Sequence, residues 1–422
     1  MNIKVVATGE NSGCFDGPDK LSFEEAVEAA IRCATAISRS EHIALRDATG
    51  RVMACDVKAP SSLPRFDHSA MDGFAVRTSS FSGPGPWQAR IEGIVAAGSS
   101  ANMPNFADEA AVEIYTGAPV PHGFDAVMTR ESCVRSGDDL RFHFPPTPGM
   151  NIRLAGEDIA EGAVALAAGT VVTAHTAALL AGLGMNEIEV RPKLRVAYVS
   201  TGSELRQPGE PLQDGQLFDS NRYMAAAMLS HPWIDYSDLG HLHDKLERIT
   251  RCLADASTKY DVVVASGGMS AGGADFMRQA LLANRGSLSV NSVLMRPGKP
   301  AAIGNIADTL FIGLPGNPMA AAVVLNQIGL PALRARAGMH SRRIAGHPAV
   351  TSFKLEKREG RTEFIPVKIV GENDIGLPIL AKLGRGSSGS LLPMAQAHGI
   401  ALLAPNTTTV REGDLVKFHE FG

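Results

Sequence analysis

Between residues 194 and 340 the sequence alternates short apolar runs with helical stretches, and this alternation limits the possible folds more than any other feature. Such an order of strands and helices predicts a mostly parallel sheet with helices on both faces. We therefore expect a central α/β domain over 191–340. A last helix is expected to have Asn317 as its cap and Pro318 in its first turn, and to kink or end at Pro331. The predicted strands are 194–200, 260–265, 290–295 and 309–313, and the other predicted helices are 221–230, 244–257 and 276–284.

Glycine-rich loops follow three of these strands, at 200–204, 266–273 and 313–318. Because ligands of open parallel sheets bind beyond the carboxyl ends of the strands, we expect the loops to share one edge. Glycine lets the backbone come close to a ligand, and free N–H groups at a following helix favour an anion such as phosphate. The loops therefore predict a site for a phosphate-bearing, nucleotide-like ligand. None of them matches the Walker A pattern, which argues against a P-loop nucleoside-triphosphatase.

Charged residues stand near these loops. Arg296 and Lys299 lie in an Arg-Pro-Gly-Lys-Pro segment, where a phosphate or another oxyanion is their natural partner and a solvated surface is the alternative. Glu204, Asp244 and Asp275 offer the oxygen ligands that magnesium takes together with substrate phosphates. Asp244 and Asp275 also precede predicted helices, so a capping role is the alternative for both.

The rest of the chain is predicted to be β-rich apart from an early helix. Ser22 and Glu25 form the pattern of a capping box at the start of that helix. Short apolar runs between Gly and Pro turns predict a β-rich region from about 50 to 150 and a small C-terminal β domain after about 345. The strands expected in the C-terminal domain are 350–356, 362–370, 399–404 and 414–418.

Two further motifs are weak. Residues 384–389 match G-x-G-x-x-G, but no βαβ unit surrounds them, so a dinucleotide site is not favoured. His241 and His243 are able to bind a metal, although an isolated H-x-H is more typical of a solvated turn or strand.

Composition narrows the range of functions. The formal net charge is -4 and the pI is near 6.3, which argues against broad nucleic-acid binding. Five scattered cysteines without C-x-x-C spacing favour neither a disulfide framework nor a zinc site. No signal peptide and no membrane-spanning run is recognised, so we expect a cytoplasmic protein without membrane association.

Seven motifs in order resemble the MoeA family, the molybdopterin molybdenumtransferases that include the C-terminal domain of gephyrin. The resemblance spans most of the chain. The motifs are FDHSAMDGFAVR (66–77), YTGAPVP (115–121), NIRLAGEDI (151–159), STGSEL (200–205), SGGMSAGGADF (266–276), RPGKP (296–300) and GLPGNP (313–318).

The resemblance implies an elongated, four-domain homodimer of α/β multidomain class. Its central α/β domain has the molybdopterin-binding type of mostly parallel sheet, with a β-rich second domain and a small C-terminal β domain. The active cleft of the family lies between the central domain of one subunit and the β-rich domain of the other. The expected division is a flexible 1–20, a discontinuous N-terminal domain of 21–60 and 158–190, a β-rich domain of 61–157, a central domain of 191–340 and a C-terminal domain of 341–422.

The resemblance also implies roles for individual positions. Magnesium is expected at Glu204 and Asp275, the phosphate or molybdate at Arg296 and Lys299, and the pterin phosphate at the glycine loops. Asp72 and Asp158 would act from across the dimer on water or metal. The expected catalytic residues are Asp72, Asp158, Asp244 and Asp275. The expected substrate-binding residues are Thr116, Arg153, Ser200, Thr201, Gly202, Gly267, Gly268, Ser270, Arg296, Lys299, Pro315, Gly316, Asn317 and Pro318.

The implied reaction inserts molybdenum from molybdate into adenylylated molybdopterin and releases AMP. A molybdopterin adenylyltransferase would supply the substrate, and molybdoenzymes or their chaperones would receive the cofactor. Ser203 and Gly273 stand where the family usually has acids, and Arg296 where it often has lysine. These departures leave two alternatives: a non-catalytic molybdopterin carrier or scaffold, and a metal-dependent hydrolase of nucleotide-like pyrophosphates.

Overall fold

The computed structural model describes residues 20–100, 105–269, 276–340, 343 and 346–421. The first nineteen residues, for which flexibility is expected, lie outside this part of the chain. So do Ser270, Gly273 and Asp275, at the end of the second glycine-rich loop. No helix of the described residues is long and apolar enough to cross a membrane.

A mixed sheet of six strands forms the centre of the described structure. Five strands point in one direction and one runs against them, so the predicted mostly parallel sheet is confirmed. Val262 and Val264 pack into the apolar cluster on one face of the sheet, whereas Val263 and Ala265 pack into the cluster on the other. This alternation follows from the two-residue period of a strand. In sheet order the strands are Ile234–Leu242, Leu194–Thr201, Val262–Ser266, Thr309–Leu314, Ala302–Ile306 and Ser287–Val290.

Helices cover both faces of this sheet. Apolar residues of α4 and α5 complete the cluster on one face, and those of α1, α3, α6 and α7 complete the cluster on the other. Helix α1 begins with the predicted capping box, in which the Ser22 hydroxyl and the Glu25 carboxylate each accept from the backbone of the other residue. The helices are α1 Phe23–Cys33, α2 Ala174–Gly182, α3 Ser220–Met228, α4 Leu246–Lys259, α5 Phe276–Ala283, α6 Pro318–Val324, α7 Leu330–Arg336 and α8 Leu391–Ala395.

The strand predicted at 290–295 is wrong. The central strand ends at Val290, and Met295–Arg296 pairs instead with a strand of the C-terminal domain. Val290, Val293 and Met295 are all fully buried. The apolar run therefore reflects burial rather than a continuous strand, because Asn291 and Ser292 interrupt it.

The helix that begins at Pro318 also continues past Pro331, which was predicted to kink or end it. The irregularity lies just before the proline, where Leu325–Gly329 forms a π-helical turn. This turn ends shortly before Pro331, at the place where the helix must do without the hydrogen bond that a proline cannot donate.

The β-rich domain contains a second six-stranded sheet among the described residues. Its two apolar clusters draw only on residues 74–152, so this domain has a core of its own. A short antiparallel pair, His68–Ser69 with Ile152–Arg153, joins two of its sequence motifs. In sheet order the strands are Ala126–Thr129, Gly73–Val76, Ala110–Ile114, Trp87–Val95, Asp139–Phe142 and Cys133–Ser136.

Segments on either side of the β-rich domain come together in a small unit. Glu41–Ala44 pairs with Glu187–Val190, and Val57–Lys58 pairs with Val164–Leu166. Apolar side chains from both segments and from α2 share one cluster. The boundaries of the five expected segments stay predictions.

The C-terminal domain is a small barrel. Strand Thr362–Glu372 pairs on one side with Pro378–Lys382 and on the other with Gly399–Leu403, so the sheet closes on itself. Closure leaves these strands without a free edge. The remaining barrel strands are His347–Thr351 and Leu415–Glu420, and a short pair is formed by Leu355–Glu356 and Thr409–Val410.

Candidate functional site

The three glycine-rich loops leave the central sheet at the same level. Ser200 is in register with Ser266 on the neighbouring strand, and Ser266 is in register with Leu314 on the next. Because these strands are parallel, the loops that follow meet at one edge, as predicted. The amide of Gly267 also donates to the carbonyl of Leu314 at 3.3 Å.

The second loop lies directly against the first. A Cβ on Gly267 would come within 2.2 Å of the carbonyl oxygen of Thr201, and one on Gly268 within 3.1 Å of its Oγ1. Both glycines have positive φ, +89° and +64°. Ser200 and Thr201 are themselves buried at the end of their strand, so they support the loops from the side of the core. Only glycine permits this close approach of two backbones at the sheet edge.

A buried asparagine ties the second loop to the third. The amide nitrogen Nδ2 of Asn221 donates to Ser266 Oγ at 2.9 Å and to the carbonyl of Gly316 at 2.8 Å. The residue stands in the first turn of α3, whose cap is Asp219. Sequence reasoning missed Asn221, because a polar residue two positions after a capping aspartate is ordinary at a helix start.

The first loop is held by the edge strand and the residues after it. The Asp244 carboxylate accepts from the backbone N–H of Ser203 at 2.9 Å. The capping role that was the alternative for Asp244 is wrong, since the cap of α4 is Lys245 and makes no side-chain hydrogen bond. Glu204 is exposed at the tip of the loop, and its carboxylate lies 2.8 Å from the position that a Cβ of Gly202 would take.

The third loop contacts the C-terminal domain. Asn317 is the N-cap residue of α6 and Pro318 follows it in the first turn, as predicted. The Asn317 side chain does not cap the helix, however, but donates to Ser388 Oγ at 3.0 Å. The amide of Met319 donates to the carbonyl of Ser388 at 3.1 Å. The weak G-x-G-x-x-G segment, which includes Ser388, thus lies beside Pro315, Gly316 and Asn317 as a contact between domains.

A basic cleft of about 460 Å³ opens between this loop and the C-terminal barrel. Arg296 and Lys299 both line it, in accordance with their predicted placement near the loops. The barrel adds cations that sequence reasoning missed, and its Glu363 lies 3.7 Å from Arg296. An excess of cations over acids fits a multiply charged anion. The charged residues of the cleft are Arg296, Lys299, Arg361, Lys382, Arg385, Glu356 and Glu363.

In the β-rich domain, two motifs are joined by Asp72 and Thr116. The Asp72 carboxylate accepts from the backbone N–H of Thr116 at 2.8 Å and from its hydroxyl at 2.9 Å. These hydrogen bonds to the charged form hold the pKa of Asp72 below its usual range, although the group is fully exposed. Asp72 is therefore an ionised, fixed carboxylate on an open surface.

Arg153 and Asp158 come together in the neighbouring motif. Arg153 Nη2 lies 3.0 Å from Asp158 Oδ1, and its Nε contacts Glu157 as well. The Asp158 side chain keeps about half of its surface exposed. Asp67 from the first motif accepts from the amide of Ala155 at 2.8 Å and so connects the two turns.

Apolar side chains surround these polar groups and are open to solvent. Phe66, Met71, Tyr115 and Leu154 retain 36–55% of their surface. Soluble proteins rarely leave several large apolar side chains exposed around one set of polar groups unless another surface covers them.

Glu204 is an exposed carboxylate at the first loop, and it fits a magnesium ion that takes its remaining oxygens from a substrate and water. Within the described residues no group of three or more His, Cys, Asp or Glu side chains converges on one point. Asp275, the other expected ligand, and Ser270, expected to bind substrate, lie outside them. His241 and His243 form no such group either. The four cysteines that the structure describes are free thiols.

Comparisons with known proteins agree with the motifs. The profile of the MoeA N-terminal region (domain I and II) matches residues 21–184, that of a probable molybdopterin binding domain matches 197–335, and that of the MoeA C-terminal region (domain IV) matches 348–421. The three matched segments follow one another along the chain in the order N-terminal region, molybdopterin binding domain and C-terminal region.

Curated relatives extend over most of the chain. The molybdopterin molybdenumtransferase of Haemophilus influenzae is 36% identical over 332 residues, which cover 78% of this chain and 80% of that protein. Molybdopterin molybdenumtransferase 2 of Mycobacterium tuberculosis is 34% identical over 379 residues, covering 88% and 92%.

Solved structures agree as well. A molybdopterin biosynthesis moeA protein from Pyrococcus horikoshii has a TM-score of 0.75 and 27% identity, with 96% of this chain and all of that chain covered. A second structure of such a protein from the same organism has a TM-score of 0.80 at 24% identity over the same shares. The predicted fold class is confirmed.

A parallel-sheet edge with three interlocked glycine-rich loops and a basic cleft defines an α/β protein whose loop edge suits an anionic ligand. The chain belongs to the MoeA family, the family of the molybdopterin molybdenumtransferases.

Proposed function

We propose that this chain inserts molybdenum from molybdate into adenylylated molybdopterin and releases AMP. Its family supports a transferase role in molybdenum cofactor biosynthesis. The observation that carries the finer proposal is the juxtaposition of the three loops with the basic cleft. One edge of the sheet thereby offers a nucleotide-type phosphate site beside a place for a second oxyanion.

The loops suit the phosphate of the pterin. Gly267 and Gly268 let the second loop approach Thr201 closely, and backbone of this glycine-rich kind is suited to an anion. Arg296 and Lys299, with the cations of the barrel, suit molybdate, a tetrahedral dianion of phosphate-like shape. Two anions would therefore bind side by side.

Magnesium is the proposed cofactor. When bound it would neutralise charge on the pyrophosphate oxygens. Glu204 would hold it from the first loop, and Asp275 from the second. Asp244 fixes the backbone of Ser203 and so keeps the Glu204 turn in place. The first and second loops contact one another where Gly267 approaches Thr201.

Asp72 and Asp158 are proposed to reach the site of a second subunit. Their exposure among Phe66, Met71 and Tyr115 supports a surface that a partner copy covers. In that dimer Asp72, which stays ionised, would orient the water that attacks the adenylyl phosphate. Arg153 would hold Asp158 in position through the hydrogen bond that joins them.

The test is incubation of the full-length protein with adenylylated molybdopterin, magnesium and molybdate. The proposal expects AMP release that molybdate stimulates, together with formation of molybdenum cofactor. Tight binding without AMP release would contradict it and favour the carrier, an outcome that the lack of an acid at Ser203 would help to explain. Cleavage indifferent to molybdate would contradict it and favour the hydrolase.

Partners follow from the same chemistry. A molybdopterin adenylyltransferase is proposed as the donor of the substrate, and cofactor-accepting molybdoenzymes or chaperones as the recipients, all in the cytoplasm.

A further inference from the structure

The edge strand of the central sheet is irregular where it passes the first glycine-rich loop. Its pairing with the next strand shifts register between Asp238, opposite Tyr198, and His241, opposite Ser200. Gly240 lies in this bulge with φ +85°, and its amide donates to Asp238 Oδ1 at 2.8 Å. Bulges beside active sites commonly redirect a side chain.

The side chain that this bulge redirects is His241. Its ring nitrogen Nε2 lies 2.6 Å from the carbonyl oxygen of Gly202. A carbonyl accepts only, so Nε2 carries the proton and donates. The ring is partly buried and contacts that of His243 edge to face, with 5.2 Å between centroids.

Together with its neighbours, His241 fixes three successive backbone groups of the loop. The Gly202 amide approaches the Leu242 carbonyl at 3.4 Å, the Gly202 carbonyl accepts from His241, and the Ser203 amide donates to Asp244. All of the holding groups come from one short stretch, 241–244. Glu204 is the next residue of the loop, and its side chain is exposed.

The conformation that is held is one that few residues adopt. Gly202 has φ +149°, and the position of its missing Cβ is within 3.0 Å of the Glu204 carboxylate. Rotation of the peptide between Gly202 and Ser203 would change the course of the backbone that leads to Glu204, two residues on from Gly202. The hydrogen bond that His241 Nε2 donates to the Gly202 carbonyl opposes this rotation.

We propose that His241 is a positioning residue, which holds the Gly202 peptide by a hydrogen bond from Nε2 and thereby sets where Glu204 points. The proposal deepens the proposed function and rests on it, since Glu204 is there a magnesium ligand. His241 touches neither substrate nor metal. Asp244 holds the other end of the same peptide, because its carboxylate accepts from the Ser203 N–H while His241 donates to the Gly202 carbonyl.

The experiment replaces His241 in the full-length protein by residues that differ in whether their side chain can donate a hydrogen bond to the Gly202 carbonyl. His241→Leu removes the donor. His241→Gln places an amide N–H near the position of Nε2, and His241→Asn has a donor too short to reach it. His243→Leu is the matched control, since it removes the neighbouring ring on the same strand.

Two measurements are made on each variant. The first is kcat and KM for AMP release with magnesium and molybdate. For the Leu and Asn variants we expect kcat to fall about tenfold with KM within about twofold, and for the Gln and His243→Leu variants we expect values near wild type. Rescue by Gln separates a lost donor from lost packing.

The second measurement is hydrogen exchange of the peptide that contains Ser203, without substrate. Exchange should accelerate in the Leu and Asn variants and return toward wild type in the Gln variant, while the strand 194–199 stays protected. If the Leu and Gln variants behave alike in both measurements, or if Leu leaves both unchanged, the proposal is overturned. If the wild type releases no AMP, the proposed function fails, and hydrogen exchange alone still decides whether His241 holds the loop.

Discussion

The two regions that carry the motifs are built in opposite ways. At the edge of the central sheet, functional positions follow buried parallel strands, and the loops are locked by contacts between backbones. In the β-rich domain, Asp72, Thr116 and Asp158 lie on exposed turns, and Asp72 and Asp158 are held by Thr116 and Arg153. The described part of the first region rests on the buried core of the sheet, and the second region is uncovered. The difference fits our proposal of a binding site in the first region and of a surface in the second that contributes to a partner's site.

The largest effect is expected from Gly267→Ala. The new Cβ would overlap the Thr201 carbonyl, so the second loop must move, and AMP release should fall by about 100-fold. Gly149→Ala in the β-rich domain is the control, because that glycine has a similar φ of +81° and no atom within 4 Å of its Cβ position. Steady-state kinetics of both variants decide whether AMP release depends on the close approach of Gly267 to Thr201. Equal losses would show that positive φ alone is responsible.

Asn221→Asp should cause the next largest effect, mainly on stability. The substitution removes both donated hydrogen bonds and turns a carboxylate toward the Gly316 carbonyl in a buried place. The free energy of unfolding should fall by about 3 kcal/mol, measured by urea denaturation. A change below about 0.5 kcal/mol would mean that the two loops do not depend on this residue.

Asp72→Asn should separate activity from stability. The amide oxygen still accepts from Thr116, but the charge is lost on a fully exposed surface. We expect kcat for AMP release to fall about tenfold, while the free energy of unfolding, measured by urea denaturation, stays at the wild-type value. A large loss of stability would contradict the description of this region as an uncovered surface.

Thr116→Val should have the smallest effect. It removes the hydroxyl that stabilises ionised Asp72 and keeps the backbone N–H, so the pKa of Asp72 rises toward its usual value. Activity that requires the carboxylate is lost as pH falls through this pKa, so the acid limb of the pH–rate profile should shift to higher pH. Thr78→Val is the control, because Thr78 holds Asp125 of the same domain by the same two contacts. An unshifted acid limb would exclude Asp72 as the titrating group.

The sequence was informative where structure is local. Loops after apolar strands, the capping box at Ser22 and the start of α6 at Asn317 depend on neighbours in the chain, so they could be predicted. Confirmation of the parallel sheet then placed the loops at one edge.

Contacts between distant residues could not be predicted. Asn221 lies 45 residues from Ser266 and 95 from Gly316. His241 is adjacent to Gly202 only because two parallel strands bring their ends together. The barrel cations, such as Arg361, are ordinary surface residues until the C-terminal domain folds against the third loop.

The wrong predictions have the same cause. The run at 290–295 is apolar because Val293 and Met295 are buried between domains, and burial alone does not specify a strand. Asp244 precedes a helix, but its carboxylate accepts from Ser203 of another loop.

The central claim is that the two regions complete one site across a dimer, and subunit mixing tests it most directly. Lys299→Ala is expected to disable the site of the central domain, and Asp72→Ala the surface of the β-rich domain. Each variant alone should be nearly inactive. When the two variants are co-expressed and pair at random, half of the dimers are mixed, and each mixed dimer carries one intact site of two. AMP release should therefore recover to about one quarter of the wild-type value. Recovery no greater than that of the separate variants would contradict the claim and place each site within a single subunit.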